Sequence, residues 1–398
     1  MSSLLARVCK NPSFYFWKLY YTICGKIVRS LCPIEKNKVL FWADAFNSYG
    51  CNPKAISDYI LANHSSEFAV YWAFCNPLKI HISNKKFNLL KFASFRYVYH
   101  VNTAEFLITN HRTLPEAIYW SKRAGQKYVM TWHGSMGIKR AEADMERTHA
   151  QIELAKIDSS NCDVMMSDSK WYDATIKRQL EYYGNVLHVG TPRNDIYYNP
   201  QKVNAAKKTV RDFYGIKDHV KILLYAPTFR DDHKLDTLIT KWDEYRKELG
   251  AFFGGEYVVM IRLHQVMKRA LAESKVDMGA SINATEYNDM QELLCAADLL
   301  ITDYSSTMFD MGILGKPCIL YATDVEKYNR GFLFDIFSLP MPVATNSNEF
   351  KTILRGFDME KYEREVNKFY DETFDIYPGG QACKGFISWM KQNSNNNE

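Results

Sequence analysis

The sequence predicts an α/β protein of two Rossmann-like domains, each a doubly wound parallel sheet, facing one another across a cleft, with an amphipathic helix at the N-terminus. Three observations carry this. At 398 residues the chain is too long for one ordinary core. After residue 37, short β-rich runs alternate with helical stretches, the rhythm of parallel sheets with crossover helices. A polar, lysine-rich interval at 196–219 divides the rhythm into two sets. The expected organisation is an N-terminal helix in 1–36, one domain over 37–200, a second over 219–350, and C-terminal helices over 351–398 ending in a disordered "NSNNNE" tail.

The elements follow in chain order. "PSFYFWKLYYTICGKIVRSLC" (12–32) is too interrupted by Lys18, Lys26 and Arg29 to span a membrane, and it lacks a small-residue cleavage site. Its aromatic belt and basic stripe suit either a helix lying in a membrane interface or one packed on its own domain. The first set of strands is expected at 38–46, 68–75, 105–111, 127–134, 164–169 and 186–192. The second is expected at 221–227, 257–264, 298–305 and 318–323.

Composition is that of a folded globular chain, 47% apolar and 24% charged. The net charge of +5 suits anionic substrates or an anionic surface and is too small to argue for nucleic acid. Nine cysteines show no CxxC or Cys/His metal spacing, and Cys295 and Cys318 sit within apolar runs as reduced core thiols. No paired-acid metal motif is recognisable, so no metal ligands are assigned and divalent metal dependence is not indicated.

Nearly every strand ends on a chemistry-bearing group: His111, His133, Asp168, Arg193, Thr228 with Arg230, His264 and Asp303. In open parallel sheets, ligands bind beyond the carboxyl ends of the strands, so one cleft fed from both sheets is expected. "ITDYSSTMFD" (301–310) ends a strand on Asp303 and two hydroxyls, and a helix is expected over 305–315, stopped by Gly315 and Pro317. Ser305 and Ser306 could serve only as caps, or could also donate to phosphate oxygens at the helix start. "RLHQ" (262–265) places Arg262 and His264 on one face. "GTPRND" (190–195) puts Arg193 in a turn, and "TWHGSMGIKR" (131–140) offers His133 as an acid–base residue beside two glycines. Three arginines, two histidines and a helix start suit a nucleotide diphosphate.

Together "NPKAISDYI", "TWHG", "GTPRND", "YAPTFRDD", "RLH", "ITDYSSTMFD" and "KPCILYATDVEKYNRGFLFD" resemble the CDP-glycerol glycerophosphotransferase family of teichoic acid synthesis, with its primases, polymerases and ribitol-phosphate relatives. The resemblance runs from about residue 40 to 340 and implies a GT-B-like architecture, with an acceptor domain first and a donor domain second. It implies an enzyme that moves glycerol phosphate, or a related polyol phosphate, from CDP-glycerol or CDP-ribitol to a hydroxyl of a lipid-linked glycan or polymer, releasing CMP, in teichoic acid or capsule-type synthesis. It implies no further cofactor, and a cytoplasmic, peripheral location at the inner membrane face. By position, His133 would be the general base and His264 would contact the reacting phosphate. Arg262, Asp303, Ser305 and Ser306 would line the donor site, with Arg193, Thr228 and Arg230 nearby. The chain departs from the family at Ser135, Met136 and Gly137 after "HG", at Gln265, and at Cys51; these positions lie mostly on the expected acceptor side. Two other classes remain open: a GT-B nucleotide-sugar glycosyltransferase, and a non-catalytic nucleotide-binding scaffold at the membrane.

Overall fold

The computed structural model describes residues 12–80, 87–112, 122–134, 136–228, 242–264, 267, 271, 278–328 and 331–394. The described residues open with helix α1 (Pro12–Leu31) and then build two lobes. The first holds strands β1 (Glu35–Trp42), β2 (Ala69–Phe74), β3 (Asn88–Lys91), β4 (Ala104–Thr109), β5 (Lys127–Met130), β6 (Val164–Ser167) and β7 (Asn185–His188). Among them lie α2 (Cys51–Asn63), α3 (Phe95–Thr103), α4 (His149–Asn161) and α5 (Lys170–Gln179). The expected polar break is crossed by a 3₁₀ turn at Pro192–Tyr198 and by α6 (Pro200–Tyr214), capped by Asn199 and stopped at Gly215 with φ 66°.

The second lobe holds β8 (Lys221–Tyr225), α7 (Trp242–Phe253), β9 (Tyr257–Ile261), β10 (Ile282–Asn283), α8 (Met290–Ala296), β11 (Leu299–Thr302), α9 (Thr307–Ile313), β12 (Cys318–Tyr321) and β13 (Val343–Ala344). It is followed by α10 (Ser347–Arg355), α11 (Met359–Phe369) and α12 (Ala382–Asn393).

Both sheets are wholly parallel, ordered β3-β2-β1-β4-β5-β6-β7 and β10-β9-β8-β11-β12-β13. Each is covered on both faces, as parallel strands require. In β1, Leu40 and Trp42 enter one core while Val39 and Phe41 enter the opposite one. In β8, Ile222 and Leu224 alternate in the same way with Leu223 and Tyr225. Strand order reverses between β1 and β4 in the first sheet, and between β8 and β11 in the second. These switch points are where the carboxyl ends open a crevice.

Several expected bounds shift. The first strand stops at Trp42, because Asp44, Ala45 and Phe46 all take left-handed conformations, φ 49°, 51° and 68°. The strand expected over 127–134 ends at Met130, since Trp132 has φ 53°. The helix expected over 305–315 shortens to α9, seven residues. At the C-terminus, Asn393 closes α12 and Ser394 donates to Glu105 at 3.0 Å, so these two are placed; 395–398 lie outside the described residues.

Two segments cross between lobes. Helix α12 returns to the first lobe, where Cys383, Phe386, Ile387 and Met390 join the core under β1 and β4. The strand-end loop after β5 crosses the other way: Met136 and Ile138 are buried among second-lobe residues such as Tyr304 and Met308. Leu333 N donates to Ile138 O at 2.6 Å and Arg140 N to Gly331 O at 3.3 Å, a short antiparallel stitch around Lys139 and Phe332. Helix α1 packs through Tyr21 against Tyr97 of α3, ring centroids 6.3 Å apart, and Arg29 donates to Asn102 at 3.2 Å.

Candidate active site

Both switch points open onto one cleft, and a glycine marks a close approach across it. A Cβ added at Gly134 would stand 3.4 Å from Ser306 Oγ, which places the loop after β5 directly against the turn after β11. The sequence-predicted residues of the two loops therefore meet here.

On the first-lobe wall, the His133 ring lies stacked on His111, centroids 4.3 Å apart at 9°, with Trp132 tilted against it at 4.6 Å. His133 Nδ1 is 3.0 Å from the Asn110 carbonyl oxygen. A carbonyl can only accept, so Nδ1 carries the proton and the neutral ring keeps its lone pair on Nε2. By surface area His133 is exposed, although protein atoms crowd around the ring. That desolvation, ahead of the adjacent His111, holds its pKa below the ordinary histidine value, with the Asn110 carbonyl and Asp44 acting against the shift. At ordinary pH it is a neutral base.

On the second-lobe wall, Ser305 Oγ accepts from Thr307 N at 3.4 Å and from Thr307 Oγ1 at 3.0 Å, so its own hydroxyl proton is left to point elsewhere. Ser306 occupies the cap position of α9 but its side chain makes no cap bond. Both serines are half-buried, and the capping-only reading of Ser306 is not what the structure shows. Beyond β9, Leu263 turns into the core while Arg262 and His264 face away from it, with His264 exposed. Arg262 Nη1 donates to the carbonyls of Tyr287 and, at 3.3 Å, Ala284. Burial works against its charge, and Asp289 and Asp44 help sustain it. Since Asp44 belongs to the first lobe, Arg262 and the His133 cluster share one electrostatic environment.

Other expected donor residues serve the frame. Asp303 is buried and its Oδ1 accepts from Thr228 N at 2.8 Å and Tyr304 N at 2.5 Å, pinning the loop after β8 to the turn after β11. Thr228 is buried at that junction. Arg193 bridges the lobes: it donates to His133 O at 2.5 Å and Cys51 Sγ at 3.5 Å in the first and to Asp310 Oδ2 at 3.2 Å in the second. Asn194 reaches the other Asp310 oxygen at 2.9 Å. The Asp310 partner charge keeps Arg193 firmly protonated against the cost of burial. Arg230, Ser135 and Gln265 lie outside the described residues.

Asp44, Asn110, Asn52 and Asp310 were missed by sequence reasoning. Asn52 fixes the site loop by donating to the Thr131 and Trp132 carbonyls at 3.2 and 3.0 Å. Asp44 and Asn110 lie just beyond the ends of β1 and β4, a signal hidden in the sequence because the expected strands over 38–46 and 105–111 enclose both residues. Among the described residues, no group of three or more His, Cys, Asp or Glu is arranged to hold a metal ion. A cavity of about 660 Å³ borders the site through Cys51 and Arg193 but takes in neither of the two predicted histidines nor Ser305 and Ser306.

The family model for CDP-glycerol:poly(glycerophosphate) glycerophosphotransferase matches residues 26–384. The chain is 28% identical over 401 residues to the teichoic acid poly(glycerol phosphate) polymerase of Bacillus subtilis, covering 96% of this chain and 52% of that protein. It is 30% identical over 367 residues to the like-named polymerase of Staphylococcus epidermidis, covering 87% and 49%. It thus spans about half the length of these two relatives, although a Bacillus spizizenii polymerase at 26% identity is covered over 94% of its length. A solved structure of a variant of the wall teichoic acid polymerase TagF superposes with a TM-score of 0.81 at 25% identity, covering 98% of this chain and 96% of that one. The two parallel-sheet lobes are accordingly GT-B-like. By fold and by the match over most of its length, the chain belongs to the CDP-glycerol:poly(glycerophosphate) glycerophosphotransferase family.

Proposed function

We propose that the chain transfers glycerol phosphate, or a related polyol phosphate, from a CDP-activated donor to a hydroxyl of a lipid-linked glycan or polymer, as in teichoic acid synthesis. The observation that carries this is the facing pair of switch-point edges: a neutral histidine with a free Nε2 on one wall, and on the other a turn bearing two serine hydroxyls, with Arg262 and His264 following β9 of the same sheet. The acceptor oxygen attacks the β-phosphorus of the donor, a new P–O bond forms, and the bond to the CMP phosphate breaks. The acceptor's proton passes to His133 Nε2. CMP leaves as a phosphate whose second pKa is about 6, so departure needs no strong acid. Positioning and charge stabilisation dominate such transfers. Ser305, Ser306, Arg262 and His264 would supply them, with Asp303 and Thr228 holding the wall that carries the serines.

Two departures bear on the acceptor. Met136 is committed to the second-lobe core, and Cys51 takes a long contact from Arg193 where an acid is common in the family. A peripheral placement at the inner membrane face is supported by α1. Its Tyr21 and Val28 are buried, while Phe16, Leu19, Ile23, Ile27 and Leu31 remain exposed along the opposite side at helical spacing. Among the described residues, no helix is long and apolar enough to cross a membrane.

The test is a donor panel: CDP-glycerol, CDP-ribitol, and UDP- or CMP-sugars, each with lipid-linked acceptor, followed by assay for free nucleotide. CMP release from a CDP-polyol is expected; UDP release, or CMP only from a CMP-sugar, would indicate a glycosyltransferase instead. His133→Ala should preserve the fold and lower turnover by about 10²–10⁴-fold, the usual contribution of a positioned base. Near-normal turnover would remove His133 from the mechanism.

A further inference from the structure

We propose that Asp44 and His111 are positioning residues for His133: Asp44 fixes, through Asn110, the carbonyl that sets the His133 tautomer, and His111 backs the ring. The role assigned to His133 rests on the function proposed above; the contacts that would perform the positioning do not.

The side chains of Asp44 and Asn110 are locked reciprocally. Asp44 N donates to Asn110 Oδ1 at 2.9 Å, and Asn110 Nδ2 donates to Asp44 Oδ1 at 2.9 Å. These two bonds fix the orientation of the Asn110 amide, because its oxygen must face the N–H and its nitrogen the carboxylate. The main-chain carbonyl of the same Asn110 receives His133 Nδ1. His111 Nδ1 lies 3.0 Å from Asn110 Oδ1 and 3.6 Å from Asp44 Oδ1. Asn110 Oδ1 can only accept, so His111 also carries its proton on Nδ1. One asparagine therefore sets the tautomers of both stacked rings, and Asp44 sets the asparagine. Ser48 Oγ donates to the remaining Asp44 oxygen.

Backbone strain around the cluster points independently to function. Asp44, Ala45 and Phe46 hold three successive left-handed conformations, and Trp132, next to His133, holds a fourth. Side-chain-bearing residues adopt this region at a cost, and it persists where the surroundings over-determine it, commonly at functional sites. Here Phe46 is held by stacking on Trp42 at 5.6 Å and Phe92 at 4.3 Å. The strained turn aims the Asp44 N–H and carboxylate at Asn110.

The arrangement suits a base that becomes cationic in mid-reaction. When His133 takes a proton it gains a positive charge near Arg193, which opposes it, as a protonated His111 also would. Asp44 is the charge that favours it, kept ionised against its burial by His111, Ser48, Asn110 and His133. Arg262 of the other lobe also interacts with Asp44. Removing Asp44 and removing His111 should therefore move His133 in opposite directions.

The test is ¹⁵N NMR titration of the His133 imidazole in the wild type, Asp44→Asn and His111→Phe, with the resonance assigned by its loss in His133→Asn. The wild type should show the Nδ1–H tautomer. Asp44→Asn should mix the tautomers and lower the His133 midpoint; His111→Phe, which keeps a stacked ring, should raise it. In turnover of CDP-glycerol, Asp44→Asn should lower kcat about ten- to hundred-fold, by analogy with the loss of a hydrogen-bond partner that orients a metal-ligating histidine, with little change in donor KM. If Asp44→Asn does not accumulate as folded protein, Ser48→Ala is read the same way with smaller shifts. Unchanged tautomer and midpoint in both variants would overturn the proposal. So would a full kcat in Asp44→Asn alongside a collapsed kcat in His133→Ala. Undiminished turnover in His133→Ala would instead remove His133 from the mechanism, while the titration still decides the positioning.

Discussion

Arg193 joins three parts of the molecule through one residue. Its main-chain N–H donates to Asn52 of α2 at 3.0 Å, while its guanidinium holds the His133 carbonyl of the first lobe and the Asp310 carboxylate of the second. The pair is sheltered, with side-chain exposures of 10% and 4%. Breaking such a pair leaves a buried charge uncompensated, at about 3–5 kcal/mol. Arg193→Met should therefore move the urea midpoint sharply down and lower turnover as well, because the His133 carbonyl loses its anchor. An unchanged midpoint would show that the lobes are held elsewhere. This residue also marks what could be read in advance. Its placement at a strand end beside the cleft was legible, since residue type and position are local. Its partner was not, because Asp310 lies 117 residues further along and neither residue announces the other. The same holds for Asp44: the left-handed turn that makes it useful is secured by Asn110, 66 residues away.

Elements were legible where they were long and buried on two faces. The strands β1, β2, β4, β8, β9 and β11 read as continuous apolar runs because parallel strands hide both faces. The edge strands β10 and β13, of two residues each, are too short to carry a period and were missed, as was edge strand β3, whose exposed Asn88 and Lys91 leave only two apolar residues between them. Helix α9 shows how packing trims a local signal. Its apolar spacing and following "GKP" were read correctly, but the closeness of α11 and its extension comes only from the fold. Tyr370 OH donates to Phe309 O at 2.6 Å, and a Cβ at Gly312 would come within 2.1 Å of that hydroxyl. Gly312→Ala must therefore displace Tyr370 or tilt α9, which carries Ser305 and Ser306 at its head. Overpacking of this kind costs about 1–3 kcal/mol. A lowered thermal midpoint in Gly312→Ala, with a raised KM for the donor, is expected; an unchanged midpoint would mean that Tyr370 swings aside freely.

The two lobes also share their interiors, which makes the cleft part of the fold's cooperativity. Helix α12, reached only after the second lobe is complete, fills the first-lobe core with Phe386, Ile387 and Met390. In return Met136 and Ile138, only a few residues past His133, are buried in the second-lobe core. A domain boundary drawn from the linear sequence cannot anticipate this exchange, because both segments belong by position to one lobe and by packing to the other. Ile138 is fully buried, and its carbonyl receives Leu333 N. Ile138→Ala should cost about 2–5 kcal/mol, the range for truncating a core aliphatic side chain. The loss falls on the second lobe's core, yet the loosened segment belongs to the loop that carries His133. Calorimetry should accordingly show one unfolding transition in the wild type that moves down as a unit in the variant, accompanied by a fall in kcat. Two separate transitions, with only the second-lobe one displaced and turnover intact, would mean that the lobes unfold independently and that the loop's insertion does not govern the placement of His133.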